Sequence, residues 1–301
     1  MKVRPAEPGD IGGMQLLASR LWPAGWHPGG LGWGLSRHAL ADSVVVAIDD
    51  DGSIVGFAGR GGDEITHVER DRDDVADAVV TWLLEIDEKA PITVWDGADA
   101  LARAASRAGL EPVGREPWSG MLLDVAAVRD DPRRRVDGYS IRPVRAVETA
   151  ARVEVHRAAW KPSSIPYIDE RPVDPDAESS FTLAAYESVR GAWLYDGSLD
   201  LVAVADDDNT GRLGACCIAW FDPATGVCEI EPLGVAPEHR RRGLAIALCL
   251  EVANVVDERG GAQVYINAQP EPGYVASSSA YLAAGFELVE RATTYAAPGR
   301  R

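Results

Sequence analysis

A short basic turn between two apolar segments is the stretch of this sequence that most clearly predicts a chemical function. It consists of Arg240, Arg241, Arg242, Gly243, Leu244, Ala245 and Ile246. Unpaired N–H groups and the helix dipole make the start of a helix attractive to anions. Gly243 lets a phosphate approach the main chain without meeting a Cβ, and the three arginines add positive charge. The turn therefore predicts a pyrophosphate site on the N–H groups of about residues 241–246.

The elements on either side of the turn would hold it in place. The first part of residues 229–235 alternates between polar and apolar residues, as a β-strand does. The stretch from Leu244 to about Val256 is apolar and helical, and it ends at Gly260-Gly261. A strand thus leads through a short loop into a buried helix. This order is typical of an α/β fold, and it places the N–H groups of the helix start at the end of the strand.

The spacing Val235-x-Pro237 followed by Arg240-x-x-Gly243-x-Ala245 resembles the cofactor motif of the GNAT superfamily, the acetyl-CoA-dependent N-acetyltransferases. The resemblance covers residues 139 to about 296 well and the first half only in outline. It implies a mixed α/β sheet and acetyl-CoA as co-substrate, with no metal. It also implies that the strand at Leu233–Val235 pairs with the pantetheine arm and that the Val235 N–H polarises the thioester carbonyl. Asn267 is a further candidate cofactor contact.

Acetyl transfer to an amine needs a base, because an amine with a pKa near 10 is only about a thousandth neutral at pH 7. Glu229 and Glu231 lie two residues apart on the predicted strand, so both can face one side. The resemblance favours Glu229, six residues before Val235, with Glu231 as second choice. It also implies that Tyr281, four residues before Gly285, protonates the departing sulfur. The Asn often found seven residues before this tyrosine is absent, since Tyr274 stands there.

The acceptor is expected to be a primary amine of a small molecule. By resemblance, its pocket involves the region of His156, Trp160 and Tyr167, and the acidic run Asp169–Glu178 would favour a cationic amine. Three alternatives stay open. The tandem layout is similar to that of the mycothiol synthases, which acetylate an aminothiol glycoside, although Gly214–Trp220 lacks their pattern. In the second alternative, the acceptor is a peptide or protein. In the third, the chain is a non-catalytic CoA-binding or interaction module.

The chain also contains an internal repeat. Val3-Arg4-Pro5 recurs as Ile141-Arg142-Pro143, 138 positions later, and similar elements follow each copy. We expect a degenerate GNAT-like domain over 1–128, a linker over 129–138 and a catalytic domain over 139–297. The first copy has Ala105 where the second has Tyr281. Matching Leu84-Glu85 to Leu250-Glu251 also places Asp77 opposite Gly243, where a carboxylate would repel a pyrophosphate.

Composition sets outer limits on function. The 301 residues carry a net charge of −17, and both halves are acidic, which argues against nucleic-acid or anionic-membrane binding. The sequence lacks a secretion signal and an apolar run of about 20 residues, so we expect a cytoplasmic protein, monomeric or homodimeric. The cysteines, Cys216, Cys217, Cys228 and Cys249, lie in apolar runs, which predicts buried thiols rather than disulfides or a metal site.

Overall fold

The computed structural model describes residues 1–37, 43–60, 65–88, 91–115, 119–169, 171–206, 211–268, 274–289 and 291–299. The chain forms two compact units. One contains Met1–Pro117 and Glu290–Arg301, and the other contains Trp118–Val289. This division differs from the predicted boundaries at 128 and 139, because a strand from the end of each half belongs to the opposite unit.

The first unit contains two sheets and four helices. Its strands are β1 (Lys2–Pro5), β2 (Val44–Ile48), β3 (Ile54–Gly59), β4 (Ile65–Val68), β5 (Ile92–Trp95), β6 (Glu111–Arg115) and, from the end of the chain, β14 (Ala292–Ala296). Its helices are α1 (Ile11–Leu21), α2 (Pro28–Leu35), α3 (Asp73–Ile86) and α4 (Asp99–Arg107). The strand orders are β1-β2-β3-β4 and β5-β14-β6. The apolar faces of β2 and β3 pack against α3, which buries one core.

The second unit is built around one seven-stranded sheet. Its strands are β7 (Ser119–Asp124), β8 (Tyr139–Pro143), β9 (Asp200–Ala205), β10 (Leu213–Asp222), β11 (Val227–Val235), β12 (Gln263–Ala268) and β13 (Glu287–Val289). Its helices are α5 (Thr149–Ala159), α6 (Leu183–Arg190), α7 (Leu244–Glu258) and α8 (Ala276–Ala284). The strand order is β13-β7-β12-β11-β10-β9-β8, and β11 and β12 are the parallel pair. The largest core lies between this sheet and α7, and α5 packs on the opposite face.

The predicted repeat is confirmed by matching elements. Helix α5 begins and ends 138 positions after α1. The turn before each helix carries the same ion pair, Arg4 with Asp10 at 2.7 Å and Arg142 with Glu148 at 2.6 Å. Each carboxylate also accepts a main-chain N–H at the start of its turn. The spacing, the helix bounds and the capping contacts therefore agree on a duplicated unit of mixed α/β structure.

The two copies exchange their last strands. β14, near the end of the chain, lies between β5 and β6 of the first unit, and β7 lies between β12 and β13 of the second. The predicted linker 129–138 consequently belongs to the second unit. Arg129 pairs with Asp257 at 2.6 Å and Arg134 with Glu251 at 3.5 Å, both on α7.

A buried polar cluster holds α5 and α6 on the sheet of the second unit. The Asp200 carboxylate accepts hydrogen bonds from Arg152 Nε at 2.8 Å, the Tyr186 hydroxyl at 2.6 Å and the Tyr195 hydroxyl at 3.0 Å. Arg152 and Asp200 are fully buried. The three hydrogen bonds satisfy the Asp200 carboxylate, whereas Arg152 Nη1 and Nη2 have no hydrogen-bond partner among the described residues. The four cysteines are buried free thiols, as predicted.

Candidate active site

The turn between β11 and α7 has the backbone geometry expected of an anion site. Arg241 and Gly243 have left-handed φ angles of 63° and 87°, and residues 241–243 are exposed. The bond from Ala247 N–H to Gly243 O, at 2.9 Å, opens the helical ladder, so the N–H groups of residues 244–246 precede it. The helix start has no side-chain cap among the described residues. These N–H groups can therefore be satisfied by an anionic ligand.

Among the described residues, β11 has an open edge immediately before this turn. Its pairing with β10 continues to Val235, whereas its pairing with β12 ends at Ile230. Ala236 N–H donates to Gly214 O of β10 at 2.9 Å. Because successive N–H groups of a strand point to opposite sides, those of Leu233 and Val235 point away from β10 and towards the open edge. A pantetheine amide could pair there as an added strand does.

The open edge begins at a β-bulge. Cys217 lies opposite Leu233 and Ala219 opposite Ile230, so β11 has one residue more than β10 between the two pairs. The additional length lies at Glu231 and Pro232. A bulge bends a strand and redirects its side chains, and here it separates the end of β11 from β12.

Glu229 lies on β11 before the bulge and is held by a hydrogen-bond chain. Its carboxylate is 1% exposed and accepts from Asn267 Nδ2 at 3.3 Å. Asn267 Oδ1 in turn accepts from the Tyr265 hydroxyl at 2.6 Å. Both ends of the Asn267 amide therefore contact side chains of the sheet, and its NH2 group orients the Glu229 carboxylate; its contact with the cofactor stays a prediction.

Tyr281 lies in the last turns of α8, and the helix ends at Gly285 with φ 106°. Tyr281 is 7% exposed. Burial raises the pKa of its hydroxyl well above the usual value, and Cys249, Tyr274 and Glu231 add to the rise. Tyr281 therefore keeps its proton at neutral pH, which a proton donor must do. Glu231 is thus one of the groups whose charge acts on this hydroxyl.

The three arginines of the turn differ in their surroundings. Arg241 and Arg242 are exposed, and the Arg242 guanidinium lies 6.0 Å from the centre of the Tyr139 ring. Arg240 donates to main-chain carbonyls, among them Val235 O and Ala159 O, both at 3.1 Å. Its guanidinium thus contacts the protein's own main chain, and its contact with an anion stays a prediction.

The sequence of the second unit matches the model of a known protein family. Residues 157–286 match the family model of the Acetyltransferase (GNAT) family. Residues 157–286 of the second unit therefore form a GNAT acetyltransferase domain. The protein is accordingly an acyltransferase, since the GNAT family transfers acyl groups from acetyl-CoA. No curated protein sequence matches the chain.

Solved structures share the fold of nearly the whole chain. A GCN5-related N-acetyltransferase from Sphaerobacter thermophilus is 20% identical with a TM-score of 0.51, over 98% of this chain and 94% of the other. A tandem GNAT protein from the clavulanic acid biosynthesis pathway is 17% identical with a TM-score of 0.53, over 98% of both chains. A GNAT-family acetyltransferase from Colwellia psychrerythraea is 13% identical with a TM-score of 0.54, over 98% and 99%. At these identities the likeness concerns the fold.

Of the predicted acceptor residues of the GNAT domain, His156 lies in the last turn of α5, and Trp160 and Tyr167 follow the helix. His156 is buried, with its ring 4.2 Å from that of Phe181 and 6.1 Å from that of Trp160. Trp160 lies against Gly234 of β11. Tyr167 lies 6.0 Å from Tyr274, ring centre to ring centre. Trp160 and Tyr167 therefore lie near the site, whereas His156 packs in an aromatic cluster behind it.

The acidic run that would attract a cationic amine has ion pairs at two of its four described carboxylates. Glu178 contacts Lys161 at 2.6 Å and Arg157 at 3.7 Å, and Asp169 contacts Arg171 at 2.7 Å. Residue 170 lies outside the described part of the run. These pairs reduce the negative potential that the sequence predicts near the acceptor, since Asp169 and Glu178 each have a cation beside them.

The first unit carries acidic side chains where the GNAT domain has its basic turn. α3 begins after Arg72, so Arg72 and not Asp77 corresponds to Gly243, and the predicted match to Asp77 is wrong because α3 starts earlier than the matched Leu-Glu pairs imply. Asp73 and Asp74 occupy the first turn of α3. Arg72 donates to Asp74 and lowers the pKa of that carboxyl to about 2, so it is ionised.

Two residues of the site were missed from the sequence. Trp220, whose indole donates to the Glu231 carbonyl, and Tyr265, which donates to Asn267, read as core aromatics in apolar strands. The strand register was the missing signal, because Trp220 and Tyr265 both lie opposite Glu229 on neighbouring strands. Within the described residues there is no cluster of His, Cys, Asp or Glu that could hold a metal. No described helix combines the length and hydropathy that crossing a bilayer requires.

Proposed function

We propose that the protein transfers the acetyl group of acetyl-CoA to a primary amine of a small molecule, by direct attack of the amine on the thioester. The observation that carries the proposal is the open edge of β11, which ends in the uncapped start of α7. An extended arm with a diphosphate fits this edge, with amides for the arm at Leu233 and Val235 and free N–H groups for the charge. The left-handed turn at Arg241 and Gly243 leaves the approach to the main chain open.

The proposed reaction has a balanced proton path. The amine nitrogen forms a bond to the carbonyl carbon, the carbon–sulfur bond breaks, and an amide and a thiol result. A carboxylate of β11 accepts the proton that the amine loses, and the Tyr281 hydroxyl donates the proton that the sulfur gains. The Val235 N–H stabilises the negative charge that develops on the carbonyl oxygen.

The structure gives the two carboxylates unequal access. Glu229 is 1% exposed and held by Asn267, whereas Glu231 is partly exposed at the bulge and interacts electrostatically with Tyr281. We therefore assign direct contact with the amine to Glu231, and to Glu229 a role through water or in orienting the site. This reverses the order of preference that the family resemblance implies.

The cysteines support direct attack rather than an acyl-cysteine intermediate. All four are buried, and burial raises the pKa of Cys249 to about 12. A nucleophilic cysteine requires a thiolate, which is favoured at exposed and electropositive positions. Cys216 has the Arg152 guanidinium beside it, but its burial is the larger effect and raises the pKa of this thiol as well.

The first domain is proposed to have lost cofactor binding. The acidic first turn of α3, with Asp73 and Asp74, repels a diphosphate. Ala105, fully buried in α4, stands where the second copy has Tyr281. Both the anion site and the proton donor are therefore missing from the described part of this copy, which is consistent with a role as a scaffold.

The test is a screen for consumption of acetyl-CoA by the full chain against pooled small amines, amino acids, aminoglycosides, an aminothiol glycoside and peptides. We expect consumption with a small primary amine and a product 42 Da heavier than that amine, the mass that an acetyl group adds in place of hydrogen. Consumption with peptides alone would contradict the small-molecule proposal. Binding of CoA without consumption across the pools would favour the non-catalytic module.

A further inference from the structure

Arg240 connects three separate stretches of main chain beside the proposed site. Its Nε donates to Val235 O at 3.1 Å and its Nη2 to Ala159 O at 3.1 Å. Its Nη1 donates to Ser164 O. Val235 ends β11, Ala159 ends α5, and Ser164 ends a short 3-10 turn. A planar guanidinium offers five donors in a rigid fork, which suits it to join several acceptors.

The stretch from Ala159 to Tyr167, here called the acceptor segment, also packs directly on β11. A Cβ added at Gly234 would lie 2.8 Å from Ala159 Cβ and 3.1 Å from Trp160 Nε1. There is consequently no space for a side chain between the start of the segment and the main chain of β11. The far end of the segment reaches Tyr274 through Tyr167.

Arg240 connects the turn of the anion site to the acceptor segment. Its main chain directly precedes Arg241–Gly243, the left-handed turn of the anion site. Its side chain holds the acceptor segment. A ligand that orders the turn therefore also orders the residue that holds the segment, and such coupling acts equally in both directions.

We propose that Arg240 is a positioning residue that couples occupancy of the CoA turn to the conformation of the acceptor segment, and that its side chain is not a phosphate ligand. The inference rests on the proposed function, since it assumes that CoA binds this turn. Bound CoA holds Arg240 in place, the acceptor segment becomes more rigid, and the amine is bound more tightly. The exposed Arg242 lies over the Tyr139 ring, which is outside the segment, and provides the contrast.

The test measures hydrogen exchange of the full chain with and without saturating CoA, together with CoA affinity by calorimetry. In the natural protein we expect CoA to slow amide exchange in residues 159–167 by about fivefold or more. In Arg240→Ala the CoA dissociation constant should stay within about threefold, while the CoA-dependent protection of the segment is lost. Arg240→Lys, which keeps a donor and the charge, should recover part of the protection.

The matched variant Arg242→Ala should show the opposite pattern. We expect weaker CoA binding, more so at low salt, with CoA-dependent protection of residues 159–167 intact once CoA is saturating. With the amine found in the screen, Arg240→Ala should raise the acceptor KM about tenfold and leave the acetyl-CoA KM within about threefold.

Three results would overturn the proposal. One is a tenfold loss of CoA affinity in Arg240→Ala with the coupling intact, which would make Arg240 a phosphate ligand. Another is a natural protein that binds CoA without any change in the segment. The third is unchanged exchange of the segment in CoA-free Arg240→Ala. If the natural protein fails to bind CoA, the proposed function is wrong. In that case, faster amide exchange of residues 159–167 in CoA-free Arg240→Ala than in the CoA-free natural protein still shows that Arg240 holds the segment. Should Arg240→Ala fail to fold, Arg240→Lys is read against the natural protein by the same criteria.

Discussion

The indole Nε1 of Trp220 donates a 2.6 Å hydrogen bond to the carbonyl oxygen of Glu231. Trp220 is fully buried on β10 and lies opposite Glu229 in the ladder with β11. One side chain therefore contacts the main chain of the bulge and neighbours both candidate bases. Because the bulge sets where β11 leaves β12, this hydrogen bond helps to define the open edge.

Trp220→Phe keeps an aromatic ring and removes the donor. The Glu231 carbonyl then loses a partner, which costs about 1–3 kcal/mol where the group stays buried. We expect turnover to fall about tenfold and CoA affinity, measured by calorimetry, to change by less than about threefold. Trp193→Phe, at a tryptophan that is 37% exposed in the same unit, is the control and should alter neither. Unchanged turnover in Trp220→Phe would show that the bulge keeps its shape without the bond.

Substitution of each glutamate by Gln separates the two candidate bases. We expect Glu231→Gln to lower kcat/KM for the amine at pH 7 by about 100-fold, since an amide cannot accept the proton. Glu229→Gln should cost about tenfold, because Gln still pairs with Asn267 and keeps the shape of the site. The measurement is kcat/KM from pH 6 to 9. The reverse order of effects would identify Glu229 as the base and restore the assignment that the family resemblance implies.

The sequence allowed the repeat and the strand and helix on either side of the basic turn to be predicted, because these depend on local patterns. The helix that begins at Leu244 follows from apolar periodicity, whereas the left-handed φ of Gly243 is a finding of the structure. The exchange of β7 and β14 could not be predicted, since the pattern of a short strand does not specify its neighbours.

The contacts of Arg240 were equally hidden, for a different physical reason. Its partners are main-chain carbonyls, which every residue carries, so no side-chain pattern indicates the contact. The Glu229–Asn267 bond likewise depends on the parallel register that puts Glu229 opposite Tyr265. A sequence shows which groups are able to interact, and the register of the sheet decides which of them meet.

Tyr281→Phe should lower kcat for the amine about 100-fold while CoA still binds, because the departing sulfur loses its proton donor. The pKa of Tyr281 is raised well above its usual value by burial. The protonated form therefore persists through the ordinary titration range of tyrosine near pH 10, and kcat in the natural protein should show no decline from this group below about pH 10. A decline with a midpoint below pH 9 that disappears in Tyr281→Phe would contradict the assignment.

His67 of the first unit should make stability depend on pH. It is 1% exposed, its ring stacks on Phe57 at 4.5 Å, and burial lowers its pKa to about 4. An unfolded chain binds a proton on this residue near pH 6.5, so the folded state loses stability as pH falls from about 6.5 towards 4. Between pH 7 and pH 5 the loss from this group is about 2 kcal/mol.

Urea unfolding at pH 7 and pH 5 measures this contribution when the natural protein is compared with His67→Gln, whose side chain stays neutral at both values. The variant should lose about 2 kcal/mol less on acidification, although it is less stable at pH 7 because the stacking on Phe57 is disturbed. Equal losses in the two proteins would mean that the histidine titrates alike in the folded and unfolded states.

Gly243→Val should weaken acetyl-CoA binding by at least about 100-fold. A branched side chain at φ 87° is strained, and its methyl groups would occupy the space over the N–H groups of the turn. In the described structure Val136 Cγ2, at 3.9 Å, is the one heavy atom near a Cβ built at this glycine. The space is therefore open to a ligand, and the loss should come from the ligand's exclusion rather than from a clash within the protein.

Gly260→Val supplies the matched control for backbone strain. Gly260 follows the other end of α7, has φ 77°, and a Cβ added there meets nothing within 4 Å among the described residues. Both variants should lose similar stability in thermal unfolding, since both force a branched residue into the left-handed region. Calorimetry should then find near-normal acetyl-CoA affinity in Gly260→Val alone. Equal acetyl-CoA affinities in the two variants would contradict the placement of the diphosphate at this turn. They would show that a side chain that fills the space at Gly243 has no effect on binding beyond that of backbone strain.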